Sequence, residues 1–246
     1  MKVIVLLRAV HEGPNSTRVL PVLSPCDRAA LDTALDLGAD NEVLALTIGP
    51  ASDEVVLRLA LKAGAQRGLR IYDPLLARAN LATLGAFIAT FLGREEYDLV
   101  LAGQHSLDWA SGATGPTVAH FLQIPHVTSI TAVRASSGEL EVDQLREQGV
   151  LSLALPTPSL ITIAAGPPRR RAAASDQGSS EDPATASNHP MEDALESHSP
   201  ADFNLTLPQI LEDPPFSLEQ TTPLPAVEFL DASSLISELK RVGLLP

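Results

Sequence analysis

The residues best suited to chemistry lie in one loop, Gly103-Gln104-His105-Ser106-Leu107-Asp108-Trp109-Ala110-Ser111-Gly112-Ala113-Thr114-Gly115. It follows an apolar run and precedes a helical pattern. Small residues there let a backbone approach a ligand. The start of the next helix offers unpaired N–H groups to an anion, and Thr114 adds a hydroxyl. The chemistry implied is recognition of a phosphate, as in a nucleotide. The same residues also fit a tight strand-to-helix turn whose glycines serve geometry alone, and both readings stay open at this level. His105 reads as a surface histidine before a phosphate donor. Asp108 has no neighbouring carboxylate that would suggest acid–base work.

A second cluster, Ser24-Pro25-Cys26-Asp27, reads as a helix start, with Ser at the cap, Pro in the first position and Asp three residues on. Cys26 has no His or Asp beside it in sequence, so it reads as a small buried thiol and not a nucleophile. His11, His120 and His126 lack metal-ligand spacing. No Gly-x-x-x-x-Gly-Lys-Ser/Thr loop occurs, and no Gly-x-Gly-x-x-Gly follows the first apolar run.

The elements that must carry these loops alternate. Apolar runs at 2–7, 43–48, 69–72 and 98–102 read as strands. Between them, helices are expected from Ser24 to about Gly38, from Ser52 to Gly64 and over 80–92, and a further one over 114–122. In the second helix Val55, Val56, Leu59, Ala60 and Ala63 are expected to face inward. From 126 to 163 four β-like runs, 127–133, 140–145, 150–155 and 160–163, follow without a helix between them. The expected fold is therefore α/β, a parallel sheet with helices on both faces and a β-hairpin excursion. In such a sheet ligands bind at the carboxyl ends of the strands, where the three candidate loops fall: the one after the first strand, 24–27 and 103–115.

Composition bounds the function. Of 246 residues, 45% are hydrophobic, enough for a sizeable core, but only 4% are aromatic, so aliphatic side chains must fill it. A net charge of -13 argues against non-specific nucleic-acid binding. One cysteine excludes an internal disulfide framework and fits a reducing compartment. The first apolar run is too short for a signal peptide, and no run approaches about 20 apolar residues, so a cytoplasmic protein without stable membrane insertion is expected. Residues 167–200 carry Arg169-Arg170-Arg171 and then mainly Ala, Ser, Asp, Glu and Pro. They read as an acidic, flexible linker or loop, ordered only by a partner. Beyond them, Glu212-Asp213-Pro214-Pro215 and the amphipathic 235–243 suggest an extended arm that docks on something.

Four blocks together resemble the β subunit of electron transfer flavoproteins. They are Ser24-Pro25-Cys26-Asp27 with the helix after it; Ile48-Gly49-Pro50 continuing to Leu57-Arg58-Leu59-Ala60-Leu61-Lys62-Ala63-Gly64-Ala65; the 103–115 loop, with Gly103, Asp108, Thr114 and Gly115 kept; and the Glu-Asp-Pro-Pro run with the terminal Leu-x-x-Leu-Lys-x-x-Gly. The likeness covers roughly 2–165 and 203–245. It implies a Rossmann-like domain of the adenine nucleotide alpha hydrolase-like kind over 1–166, the linker over 167–200, and an arm over 201–246 that wraps an α subunit. It further implies FAD held mainly by that α subunit and, in the β subunit, AMP or, as in electron-bifurcating relatives, a second FAD. Electrons would pass from a dehydrogenase towards a quinone reductase, and the β subunit would have no catalytic acid, base or nucleophile of its own. Carried over by resemblance, the nucleotide contacts are Leu6, Ser24, Pro25, Cys26, Asp27, Ile48, Gly103, Gln104, Asp108, Ser111, Gly112, Ala113, Thr114 and Gly115.

The chain departs from the family pattern. Gly112-Ala113 replaces an Asn-Gln, Ser24 replaces an Asn, and Trp109 and Ala110 replace acids. The family's basic dehydrogenase-recognition segment is replaced by the acidic 167–200, which implies a dedicated dehydrogenase in a specialised catabolic pathway. The alternatives are a stand-alone nucleotide-binding or stress-type module, and a structural subunit with an empty AMP pocket. A stand-alone module has no need of the arm. Deleting residues 212–246 is expected to weaken association with an α subunit in a pull-down, and undiminished affinity would count against the arm's assigned role.

Overall fold

The computed structural model describes residues 1–11, 21–38, 40–74, 76, 79–106, 110–136, 139–165 and 194–203. Asp108, residues 166–193 and the arm from 204 onward lie outside the described residues.

The fold is α/β. Among the described residues, nine strands form one sheet. Its parallel part comprises β1 (Lys2–Leu6), β4 (Glu42–Ile48), β5 (Arg67–Ile71), β6 (Leu99–Gly103), β10 (Ser159–Ile163) and β11 (Leu195–His198). The long β7 (His126–Ser136) runs parallel to β10 and then forms an antiparallel meander with β8 (Glu139–Arg146) and β9 (Gly149–Leu155). The order is β11-β5-β4-β1-β6-β10-β7-β8-β9. The hairpin excursion thus returns to the sheet, as expected, and β10 inserts between β6 and β7. Two features were not anticipated. β2 (Ala9–Val10) and β3 (Val22–Leu23) form a short antiparallel pair in the stretch read as loop. β11 adds an edge strand at the end of the stretch read as a linker.

The strands read as unbroken apolar runs because both faces are covered. Alternate residues serve opposite sides. Val3, Val5, Val43, Ala45, Leu99 and Leu101 pack beneath α1 (Pro25–Asp36) and α2 (Glu54–Ala63). Ile4, Leu6, Leu44, Leu46, Val100 and Ala102 pack beneath α3 (Leu81–Leu92) and α4 (Thr114–Leu122). The inward face of α2 differs from expectation. Val56, Leu57 and Ala60 are buried, whereas Leu59 is 38% exposed and Val55 only partly covered. The reason is the close seat of Leu57 over β5: a Cβ on Gly68 would lie 3.4 Å from the Leu57 Cβ. Turning Leu57 inward carries Leu59 outward, about 200° away round the helix.

β11 is tied to the sheet by side chains as well as backbone. Arg67 pairs with Glu196 at 2.8 Å, and Arg70 bonds Ser197 while also reaching Glu54 at 3.0 Å and the Gly49 carbonyl at 3.2 Å. Phe203, just beyond β11, sets its ring edge-on to Phe91 of α3, with centroids 4.9 Å apart. No helix among the described residues is long and apolar enough to cross a membrane.

Helices α3 and α4 approach closely at Gly85, where an added Cβ would fall 2.4 Å from the Thr117 Cγ2. Gly85→Ala is expected to lower stability by about 1–3 kcal/mol in urea unfolding. Thr117→Ser removes that methyl and keeps the hydroxyl bond to the Ala113 carbonyl. In the Gly85→Ala background it is expected to recover at least half the loss.

Candidate nucleotide site

The site is built at the carboxyl ends of three adjacent strands, β4, β1 and β6. The sequence orders α1 sharply. Ser24 takes extended backbone and its hydroxyl accepts the Asp27 amide at 3.1 Å, with Pro25 in the first turn. In a capping box the acid at Asp27 would reach back to the cap residue's own amide. Instead it reaches across to two other chain segments. Its carboxylate accepts the Arg8 amide, just past β1, at 3.2 Å, and the Gly103 amide, at the end of β6, at 3.1 Å. One side chain therefore joins the ends of two strands to the start of a helix.

This contact requires a glycine. A Cβ at Gly103 would lie 2.2 Å from Asp27 Oδ1 and 2.7 Å from the Asp27 nitrogen. Asp27 is 6% exposed. Burial pushes its carboxyl up to about 6. The Arg8 amide, the Ser24 hydroxyl, the Gly103 amide and the Arg8 charge pull the other way without cancelling the shift.

Above this contact opens a cleft. Leu6, Leu46, Ile48, Leu84, Ile88 and Ala102 make an apolar floor. Arg8, Asp27, Gly103, Gln104, Ser106, Ser111, Gly112 and Thr114 make a polar rim. On the far side α4 begins at Thr114. Ala113 occupies its cap position and supplies no capping side chain, so the first-turn amides are uncapped. Ala110 and Gly112 both take left-handed backbone, and Gly112 is packed so tightly that a Cβ would lie 3.1 Å from the Gln104 carbonyl. The helix dipole and the uncapped amides favour an anion at this rim.

Of the residues named from sequence, Leu6, Asp27, Ile48, Gly103, Gln104, Ser111, Gly112 and Thr114 line the cleft. Ser24 and Cys26 are buried beneath it, and Pro25 is exposed. Ala113 is the cap residue of α4. Gly115 faces β10, where an added Cβ would lie 2.5 Å from the Thr162 Cγ2. Gln104 turns its amide to the Ser129 hydroxyl at 2.9 Å. Asp108 lies outside the described residues. Ser106, part of the 103–115 loop, also lines the cleft, whereas sequence reasoning did not single out Arg8 or the α3 contribution of Leu84 and Ile88. The position of Arg8 directly after the first strand was the available signal for that residue. A helix from the other face of the sheet gave none. Among the described residues no group of His, Cys, Asp and Glu has the arrangement to hold a metal ion.

Comparison with known proteins decides the family. The model of the electron transfer flavoprotein domain matches residues 17–187. The chain belongs to this family. Its relatives include an electron transfer flavoprotein subunit beta of Thermoanaerobacterium thermosaccharolyticum, 28% identical over 66% of this chain and 67% of that protein. The human subunit beta is 32% identical over 50% of this chain and 49% of its own length. The acryloyl-CoA reductase electron transfer subunit gamma of Anaerotignum propionicum is 28% identical over 60% and 57%. The chain thus aligns with about half to two thirds of these relatives, as a divergent β-type member of the family.

The buried carboxylate has a measurable consequence. The folded state binds the Asp27 proton more tightly than the unfolded chain does. This group's contribution to stability is therefore full below about pH 4 and is lost as pH rises through about 6, a difference on the order of 3 kcal/mol. Asp27→Asn lacks this dependence. It also sets an amide donor against one of the two backbone N–H groups, at a cost of about 1–3 kcal/mol. Urea unfolding of both proteins between about pH 5 and 7 should show wild type losing ground to the variant as pH rises. A constant gap would contradict the shifted carboxyl.

Proposed function

We propose that the chain is the β subunit of an electron transfer flavoprotein heterodimer. In this reading FAD, held mainly by an α subunit, supplies the electron-carrying chemistry. Electrons pass from a dehydrogenase through it towards a quinone reductase, in the cytoplasm. The observation that carries the proposal is the family match over 17–187 together with a cleft at the expected sheet edge.

The cleft fits an adenine nucleotide such as AMP. An apolar floor suits a purine face, and the uncapped start of α4 with Ser111 and Thr114 suits a phosphate. Arg8 adds positive charge on the rim. The chain's own residues bind and orient, and the redox step belongs to the flavin. The acidic 167–200 in place of a basic recognition segment supports a dedicated dehydrogenase as donor.

The heterodimer reading also has a structural support of its own. Among the described residues no strand pairs with the outer edge of β9. Its seven residues, Gly-Val-Leu-Ser-Leu-Ala-Leu, contain no charge and no proline. Natural sheets protect exposed edges with such residues or with bulges, and the β8–β9 register runs without one. Val150 and Leu145, opposite each other near the hairpin turn, are 62% and 54% exposed. An edge of this kind suits an added strand from a partner chain. A net charge of -13 on each copy opposes self-pairing and favours a different partner.

Co-expression with an α-subunit homologue is expected to yield a yellow complex with flavin absorbance. Val150→Lys is exposed enough to leave the fold intact and is expected to weaken that complex by about tenfold or more in titration calorimetry. A colourless monomer indifferent to the α subunit would overturn the proposal.

A further inference from the structure

Asp27 is a buried acid that electron transfer leaves unused, and its surroundings are unusual for a carboxylate in an anion-binding cleft. Its partners are mostly neutral: two backbone amides and the Ser24 hydroxyl. The other charged and polar groups nearby come from five chain segments. From the segment after β1 comes Arg8, whose charge acts on Asp27 directly. On α1 itself, Cys26 is a buried neighbour in sequence and Arg28 is turned to Asp32 at 3.2 Å. From the turn after β6 comes His105, whose carbonyl faces the Ser24 hydroxyl at 3.4 Å. From the turn after β4 comes Asp53, engaged with His11 at 2.7 Å. From the start of α4 come Thr114 and the uncapped amides. Arg8 lines the same cleft as Asp27, and its charge acts on that carboxylate.

We propose that nucleotide binding in this cleft is proton-linked through Asp27. A nucleotide phosphate seated against the start of α4 draws a proton from solvent onto the Asp27 carboxylate, so the cleft binds its ligand more tightly in mildly acidic than in neutral solution. The argument is one of linkage. Asp27 and the start of α4 line the same cleft, so a new negative charge disfavours the ionised carboxylate through low-dielectric surroundings. By reciprocity, protonating Asp27 favours the anion by the same factor. The shift of Asp27 towards about 6 places the effect in an accessible range. The inference rests on the nucleotide reading above and adds its regulation.

The test uses the full-length chain and AMP. The Asp27 carboxyl is titrated by carbon-13 NMR with and without saturating AMP, and AMP affinity is measured by calorimetry at about pH 5.5 and about pH 7.5 in wild type and Asp27→Asn. AMP is expected to raise the Asp27 midpoint by about one unit. The gain in affinity on acidification should then be roughly sixfold larger in wild type than in the variant. The phosphate's own titration is common to both proteins and cancels in that ratio. AMP binding with an unmoved Asp27 midpoint would overturn the linkage and leave the nucleotide reading standing. No binding at either pH would overturn the nucleotide reading and the linkage with it. The NMR comparison needs no substitution, so it decides the matter even if the Asn variant does not fold.

Discussion

One buried carboxylate sets the geometry of the sheet's carboxyl edge. Asp27 bonds the backbone past β1 and the backbone ending β6, while its own amide is capped by Ser24. The bonds hold only because position 103 is glycine. A second contact of the same form lies next door. Asp53, at the start of α2, sits so close to Gly49 that a Cβ there would fall 2.0 Å from its Oδ2, and it takes His11 at 2.7 Å and Ser52 at 3.1 Å. Two aspartates, each seated on a glycine at a strand end, thus hold the segment after β1 from both sides. The backbone at Arg8 and the ring of His11 are held by this pinning. The cost is desolvation, which appears in the raised Asp27 carboxyl.

The two edges of the sheet are treated differently. β11 is fastened to β5 by Arg67, Arg70 and the packing of Leu195 over Gly68, and Phe203 anchors the chain just beyond it against α3. β9 has no such fastening on its outer side among the described residues, and its exposed residues other than Ser152 are apolar. Among the described residues, Leu145, Val150 and Leu151 of this one hairpin are the most exposed of the large hydrophobic side chains, in a chain whose net charge is -13. In the heterodimer reading proposed above, where the flavin supplies the redox step, the surfaces that would hold a partner matter as much as the cleft.

Much of the fold was legible in the sequence. Strands buried on both faces announce themselves as unbroken apolar runs. The Ser-Pro-x-Asp start of α1 and the glycine after α2 fixed two helix ends. Alternation alone placed the 103–115 loop at one sheet edge and the resemblance added Leu6 and Ile48, and the cleft is there. What escaped notice depends on contacts between distant segments. β11 is four residues long with a single aliphatic side chain, and it is held by arginines about 127 residues earlier, so local pattern could not reveal it. The outward turn of Leu59 follows from the seat of Leu57 on Gly68, a tertiary effect. Gly115 looked like part of a ligand loop, yet it serves the approach of α4 to β10. Asp27 was named as a ligand contact, but nothing local showed that it would also bind the ends of two strands.

In the proposed reading, the Asp27–Gly103 contact shapes a cleft for an adenine nucleotide. The most direct measurement is to denature the purified heterodimer and quantify released nucleotide by chromatography, in wild type and in Gly103→Ala. Close to one adenine nucleotide per β chain beyond the FAD is expected in wild type, and a large loss in the variant while flavin is retained. A wild-type complex that releases FAD alone, or a variant that keeps its full complement of nucleotide, would contradict it.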